Sequence, residues 1–238
     1  MPIKEYKKKA LSALKGNWII SVIACFIAMV LGGIEGYSVN FTINVNVPLI
    51  PDVENGVEQT AKFLDTDPNT LLTVLLISSA ISLVLSIVLF IVGSAVGVGY
   101  ARFHLDMAEG EKPRLRTLFS HFDQTGTAVC ARLLVFLRVS IGTIFFIVPG
   151  VIARFKYALV NQVIADNPGI TAREALRESK RLMKGNKWKY FCLSLSFIGW
   201  SILALFTGGI GYYVLVPYMQ ATLAEFYRHA KLKAAFFR

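Results

Sequence analysis

Residues 71–100 read LLTVLLISSAISLVLSIVLFIVGSAVGVGY, a run of 30 residues without a charged side chain. An α-helix of that length is about 45 Å long, whereas the hydrocarbon core of a bilayer is about 30 Å thick. Because lipid offers no partners to backbone N–H and C=O groups, an apolar run this long is predicted to cross the membrane as a helix. The helix must then tilt or extend past the hydrocarbon.

Shorter apolar runs and the overall composition predict further crossings. Hydrophobic residues make up 55% of the 238 residues and charged residues 17%, whereas soluble domains carry about a quarter charged residues. The further runs are residues 18–36, 128–148, 151–165, 191–207 and 212–227. We therefore predict an all-α fold, a polytopic transmembrane helical bundle with about six spans in a single domain covering residues 1–238.

Two of these runs leave alternatives open. The run 18–36 follows a basic start, as a secretory signal does, but the apolar core of such signals is only about 7–15 residues long. We therefore expect this run to be retained as the first span. Pro149-Gly150 ends the third run. The hairpin 133–165 either spans fully, with the Pro-Gly turn at the outer surface, or is re-entrant, with that turn at mid-depth.

The distribution of basic residues orients the bundle. Of the 25 lysines and arginines, 20 lie in residues 1–17, 101–127, 166–190 and 228–238, which share one side of a six-span bundle. The connection 37–70 has one lysine against five carboxylates. Since basic connections stay in the cytoplasm, both termini are predicted to be cytoplasmic and this loop extracytoplasmic. The net charge of +10 then indicates anionic membrane lipids as partners, with other membrane proteins as further candidates, and nucleic acid is not expected.

A Lys-Gly-Asn junction occurs twice, in LKGNW (14–18) and in LMKGNKW (182–188), each time before an apolar run. Residues 1–17 and 171–185 carry apolar side chains at helical spacing and basic side chains on the remaining arc. We predict that both are amphipathic helices on the cytoplasmic face, each ended by the glycine of its junction.

Other side chains at the junctions have predicted roles. Thr171 and Glu174 have the spacing of a capping box, in which each side chain satisfies a free backbone N–H of the other residue. Trp18 and Trp188 follow the two junctions and are predicted to be interfacial anchors.

Ionisable side chains inside the apolar runs are candidate site residues, because each costs about 2.5–3.5 kcal/mol at mid-bilayer on insertion scales. Arg138 precedes the Pro-Gly turn by 11 residues, about 16 Å of helix. The same number of residues after the turn, the returning helix reaches Asn161 and Gln162, which should lie at the same depth in the membrane as Arg138. We therefore predict that Arg138 points inward to one of them. Arg132 is expected to lie within reach of Glu225.

Two interpretations of these charges are open, with Arg154 and Lys156 expected level with Glu35. In the first, Arg138, Asn161, Gln162, Arg154, Lys156 and Glu35 only satisfy one another's buried charge and polarity. In the second, Arg138, Arg154 and Lys156 line a path for an anion or a phospholipid headgroup, since the cluster is rich in cations and poor in carboxylates.

No pattern in the chain indicates catalysis, a cofactor or a metal. Walker A, HExxH, GxSxG, EF-hand and paired-cysteine motifs are absent from the sequence. The three cysteines lie in apolar runs, as small buried hydrophobic residues do, and the three histidines lack ligand spacing. We therefore expect a protein that is not an enzyme.

Small residues and one alternating stretch add two local predictions. Ser78, Ser82, Ser86, Gly93 and Gly97 favour close helix packing over the lining of a pore. Residues 37–47 (YSVNFTINVNV) alternate apolar and polar, the period of a half-buried strand.

Several stretches together resemble one family: ALKGNW (13–18), GYARFHLDMAEGEKPRL (99–115), VPGVIARFKYALVNQVIADNPGITAREAL (148–176), SKRLMKGNKWKYFCLSLSFIGW (179–200) and VPYMQATLAEFYR (216–228). They are similar to the bacterial integral-membrane family called domain of unknown function 975. That family is distantly similar to the membrane domains of glycerophosphodiester phosphodiesterases. The resemblance implies a multi-pass protein of the bacterial plasma membrane and supplies no catalytic residues.

The expected role follows from these observations. We expect a non-catalytic membrane protein that organises, assembles or regulates lipid or envelope components. The alternative is a transporter or lipid-moving protein for an anionic solute or phospholipid.

Overall fold

The computed structural model describes residues 2–34, 67–145 and 147–236, without the side chains of residues 68, 145 and 147–149. These residues form α1 (Ile3–Leu14), α2 (Trp18–Val30), α3 (Pro68–Glu109), α4 (Thr125–Phe145), α5 (Ile147–Lys156), α6 (Val160–Asp166), α7 (Ala172–Leu182), α8 (Lys187–Phe206) and α9 (Tyr212–Phe236). Two short 3₁₀ turns, Leu115–Phe119 and Phe122–Gln124, precede α4. No strand occurs among these residues, so the predicted all-α fold is confirmed.

Within the described residues, three segments are long and apolar enough to cross a membrane: Asn69–Glu109, Leu115–Ile144 and Lys187–Phe206. The number rises to four if α1 and α2, which meet at an angle of 99°, count as one broken span. The other crossings of the six-span scheme stay predictions. Helices α5 and α6 have only 10 and 7 residues, and α9 combines sufficient length with polar side chains such as Gln220 and Glu225.

The predicted boundaries around the Pro-Gly pair are wrong. Helix α5 begins at Ile147, so Pro149 and Gly150 lie in its first turn instead of in a loop. Proline fits there because first-turn N–H groups have no acceptor within the helix. The predicted run 151–165 is also divided between Lys156 and Val160. At this break the hydroxyl of Ser179 donates to the carbonyl oxygen of Lys156 at 3.0 Å, which satisfies an acceptor at the end of α5.

The chain divides into two compact units, Met1–Ser38 with Ile91–Arg238, and Val39–Phe90. In the described part of the second unit, residues 67–90, the apolar side chains of α3 are largely exposed. The hydroxyls of Ser78 and Ser86 donate to the carbonyl oxygens of Leu75 and Ser82, at 3.0 and 2.7 Å. These serines therefore satisfy their own polar groups on a face suited to lipid.

Glycines allow close packing in the larger unit. A Cβ atom at Gly93 would lie 2.5 Å from the carbonyl oxygen of Gly32, and one at Gly97 would lie 2.7 Å from that of Gly33. A Cβ atom at Gly99 would lie 2.1 Å from the carbonyl oxygen of Leu118. The predicted close packing is thus confirmed for Gly93 and Gly97, because only a residue without a side chain fits at these contacts.

The core of this unit joins the start and the end of the chain. Tyr6, Ala10 and Leu14 form the buried face of α1. The Tyr6 ring packs against Phe226 of α9 with centroids 5.6 Å apart, and its hydroxyl hydrogen-bonds to Nδ1 of His229 at 3.0 Å. The amphipathic character predicted for residues 1–17 therefore corresponds to a helix whose apolar side is covered by α9.

Both Lys-Gly-Asn junctions form as predicted. Gly16 and Gly185 have φ of +88° and +78°, the left-handed conformation that ends α1 and α7. Asn17 and Asn186 then stand at the N-caps of α2 and α8. Thr171 and Glu174 form the complete capping box at the start of α7.

A candidate anion-binding cavity and a basic groove

A polar cavity of about 280 Å³ lies within the larger unit. Its charged and amide-bearing lining residues are Arg132, Arg154, Asn161, Gln162 and Gln220. Tyr100, Tyr157 and Tyr190 add aromatic wall, and Gly33 and Gly97 bring backbone close to the space. No carboxylate is among the described residues that line it.

Two helices bring the arginines to the cavity. Arg132 comes from α4 together with Val135, three residues further along the same face. Its guanidinium donates to the carbonyl oxygen of Gly32 at 3.1 Å. Arg154 comes from α5 and is exposed. The cavity therefore has two cationic walls on independent elements.

The amides of α6 line the cavity from another side. Gln162 is 3% exposed, and its Oε1 atom has no hydrogen-bond partner among the described residues. Asn161 is half-buried, with Nδ2 3.7 Å from the position of a Cβ at Gly97. A buried amide oxygen without a donor is unfavourable by about 1–3 kcal/mol, so this position suits a bound donor.

The predicted inward contact of Arg138 is wrong. Arg138 is exposed and lies over the ring of Tyr157, 5.5 Å from its centroid, outside the cavity that Asn161 and Gln162 line. The physical reason is helical phase. Six residues separate Arg132 from Arg138, which turns the second side chain by about 120° away from the first on an α-helix.

The other predicted site residues are distributed over different surfaces. Lys156 faces away from the cavity and lines a separate groove, and Glu35 lies outside the described residues, as does the predicted strand 37–47. Glu225 pairs with Arg228 of its own helix at 3.3 Å. The structure thus brings together Arg154, Asn161 and Gln162 of the predicted cluster, and adds Arg132 and Gln220.

Sequence reasoning missed Gln220 as a cavity residue and assigned Arg132 a different environment. The useful signal for Arg132 was its spacing from Arg138, which prevents both arginines from facing one site. No such signal marks Gln220, because its place at the cavity depends on how α9 packs against helices distant in the chain.

A groove of about 470 Å³ is lined by basic side chains alone, and we call it the basic groove. Its lining residues are Lys156, Arg177, Lys180, Arg181, Lys184 and Lys187. They come from the end of α5, the polar face of α7, and the second Lys-Gly-Asn junction. Arg181 also pairs with Glu178 at 2.6 Å, which raises the pKa of the arginine through that hydrogen bond.

An ion-pair network joins α3, α6 and α9. Arg102 contacts Asp106 at 2.6 Å and Asp166 at 3.8 Å. Asp166 also accepts a hydrogen bond from the Tyr227 hydroxyl at 2.7 Å and pairs with Lys231. Sequence reasoning missed this network because its members come from three separate helices without a shared spacing.

The two tryptophans differ in environment. Trp188 is 73% exposed, whereas Trp18 is half-buried and packs against the core. One extra residue, Lys187, follows the asparagine in the second junction, and it rotates Trp188 by about 100° relative to Trp18. Only Trp188 therefore projects outward as an interfacial side chain would.

The residues described by the structure contain no group of three His, Cys, Asp or Glu side chains that could hold a metal ion. His104 is buried, with Nδ1 3.0 Å from the Tyr100 carbonyl oxygen. Cys25, Cys130 and Cys192 are free thiols, and only Cys25 is buried as expected.

Comparison with known proteins gives a family match for part of the chain and no activity. No curated protein and no solved structure matches it. Residues 133–234 match the family described as "Protein of unknown function (DUF975)". This segment includes the second Lys-Gly-Asn junction, the basic groove and most of the cavity lining. The resemblance found in the sequence is therefore confirmed: the chain carries, over residues 133–234, the pattern of the DUF975 family of proteins of unknown function.

Proposed function

We propose that this protein is a non-catalytic integral protein of the bacterial plasma membrane that organises or regulates membrane components by holding anionic lipid at its basic groove. The basic groove is the observation that carries the proposal. Six cationic side chains converge there, and the exposed Trp188 follows one of them, Lys187, in the chain. Clustered lysines and arginines next to spanning helices attract anionic lipid by about 1 kcal/mol each near the surface.

Packing in the larger unit supports the proposal that the basic segments lie on the same side of the membrane. Helix α1 packs on α9 through Tyr6 and His229. Arg228 of α9 donates to the carbonyl oxygen of Ala108, near the end of α3. Helix α9 also contacts α7, whose polar face lines the basic groove. These contacts agree with an orientation in which both termini and α7 are cytoplasmic.

The alternative role, a transporter of an anionic solute or phospholipid, required Arg138, Arg154 and Lys156 to line one path. Arg154 lines the cavity, Lys156 lines the basic groove, and Arg138 lies over Tyr157 on the outside. Because these three side chains lie on three different surfaces, they do not form a continuous path for an anion. The lipid-holding role is therefore the one that the geometry favours.

The test measures lipid retained by the full-length protein. The protein is purified from mixed phosphatidylglycerol and phosphatidylcholine bilayers, and bound lipid is counted by native mass spectrometry. We expect enrichment of phosphatidylglycerol, and a clear loss of that enrichment in the double variant Lys180→Gln/Lys184→Gln. Both lysines are exposed, so folding should survive the change.

A matched control removes the same charge elsewhere. Lys112→Gln/Arg114→Gln changes two exposed basic residues outside the groove, and it should retain the enrichment. Equal retention of the two lipids by the unaltered protein, or equal loss in both double variants, would contradict the proposal.

A further inference from the structure

The cavity holds a polar group that the fold itself leaves unsatisfied. Gln162 comes from a short helix in the core of the larger unit and is almost completely buried, yet its Oε1 atom has no donor among the described residues. Buried side-chain acceptors nearly always have a partner, either protein or bound. Gln162 is one of the residues that line the cavity, so a molecule inside the cavity is a candidate for this donor.

The charged side chains that line the cavity indicate the charge of that molecule. Arg154 forms no ion pair among the described residues, and Arg132 of α4, which also donates to the Gly32 carbonyl oxygen, contributes a second guanidinium. No described lining residue is acidic. Guanidinium groups bind carboxylate and phosphate oxygens through paired N–H donors, and the amides of Asn161 and Gln220 supply further donors of the same kind.

We propose that this cavity is a binding site for a small hydroxylated oxyanion of the phosphate ester class. Its phosphate oxygens accept hydrogen bonds from Arg154 and Arg132, and one of its hydroxyls donates to Oε1 of Gln162. This site goes beyond the proposed function, since no residue of the basic groove lines the cavity.

The size of the cavity limits the ligand. A volume of about 280 Å³ is at the small end of the range of about 300–1,000 Å³ that is usual for ligand pockets. The space accommodates a phosphate with a short polyol, and it excludes the acyl chains of a lipid. The same chemistry is offered by a free sugar phosphate and by the headgroup of a phospholipid such as phosphatidylglycerol.

The experiment titrates the purified full-length protein in uncharged detergent by calorimetry. The probes are glucose 6-phosphate, inorganic phosphate and glucose, and a fourth titration uses phosphatidylglycerol in mixed micelles. Saturable binding of glucose 6-phosphate, weaker binding of inorganic phosphate and none of glucose are expected if the ligand is a free compound. Saturable binding of phosphatidylglycerol alone, lost in Arg154→Gln, assigns the site to a lipid headgroup.

Three variants make the test specific to the cavity. Arg154→Gln removes an exposed charge and should weaken phosphate binding about tenfold or more, since charge-assisted hydrogen bonds are the strong ones. Gln162→Leu should reduce affinity for glucose 6-phosphate and leave inorganic phosphate unchanged, because only the hydroxyl contact is lost. Arg138→Gln removes the neighbouring exposed arginine outside the cavity and should change neither.

Two results would overturn the inference. One is the absence of saturable binding for every phosphate probe by the unaltered protein. The other is binding that falls equally in Arg154→Gln and in Arg138→Gln, which would show attraction to surface charge without a site.

Discussion

Asn17 and Asn186 make the same hydrogen bond in two distant parts of the chain. Each donates its side-chain amide to the carbonyl oxygen four residues earlier, Asn17 to Ala13 at 3.3 Å and Asn186 to Leu182 at 2.8 Å. Each thereby satisfies a free carbonyl at the end of one helix while it begins the next. The repeated sequence therefore forms the same helix-to-helix corner twice. In each corner the glycine ends the first helix in the left-handed conformation, and the asparagine donates to a free carbonyl oxygen at that helix end.

Replacement of the second corner glycine tests this account. Gly185→Ala forces a side chain into the left-handed region, at φ +78°, and should lower the free energy of unfolding by about 1–2 kcal/mol. The measurement is reversible unfolding of the purified protein in detergent. Gly199→Ala is the matched control, because a Cβ there has nothing within 4 Å and the helical backbone favours alanine. Equal destabilisation by both changes would contradict the corner mechanism.

The amide of the second corner should contribute measurably to stability. Asn186 is buried, so Asn186→Ala leaves the Leu182 carbonyl without its donor, and we expect a loss of about 1 kcal/mol or more. Asn17→Ala should have a smaller effect, because its bond is longer and the side chain is only half-buried. The same unfolding assay ranks the two, and a larger loss at Asn17 would refute this reasoning.

A glycine contact in the core should tolerate no side chain. Gly99→Ala places a Cβ 2.1 Å from the carbonyl oxygen of Leu118, and this oxygen belongs to the backbone, which cannot rotate away as a flexible side chain could. We expect loss of the monodisperse folded protein in size-exclusion chromatography, or a fall in its melting temperature of many degrees. Gly126→Ala, where a Cβ meets nothing within 4 Å, should behave as the unaltered protein does.

The capping box should respond to acid. Hydrogen bonds from the Thr171 side chain and backbone lower the pKa of Glu174. A carboxylate with a lowered pKa stabilises the fold at pH values above its unfolded pKa, and that contribution disappears as pH falls through the folded pKa. The protection of the first-turn amides of α7, measured as the exchange rate relative to an unstructured peptide at the same pH, should therefore fall below about pH 4, near the ordinary value for glutamate. In Thr171→Ala the exchange should be fast already at neutral pH.

The contact between the first and last helices should weaken at mildly acidic pH. Burial is the largest cause that lowers the pKa of His229, and nearby positive charges, which include Lys189, Lys233 and Lys9, lower it further. The unfolded chain then binds the proton more readily, so stability is full above the ordinary histidine pKa of about 6.5 and declines as pH falls below it. Unfolding measured at pH 7.5 and pH 5 should show this decline, and His229→Gln should reduce it.

The sequence was most informative where structure is local. The glycine corners, the capping box and the all-α class follow from contacts within a few residues, and each formed as predicted. The cavity was harder to predict because its lining comes from several helices, and helical phase, not depth, decides that Arg132 faces it and Arg138 does not. The break between Lys156 and Val160 contains neither glycine nor proline, and its stabilising partner, Ser179, is on another helix.

The contact between Tyr6 and His229 also constrains the order of assembly. Helix α1 leaves the ribosome long before α9, so the partner that covers Tyr6 is absent while most of the chain is being made. Apolar faces on lysine-rich helices of this kind bind the headgroup layer of membranes. The buried packing of α1 can form only after α9 has been made. Truncations that remove α9 should therefore destabilise α1, although the two helices are far apart in the sequence.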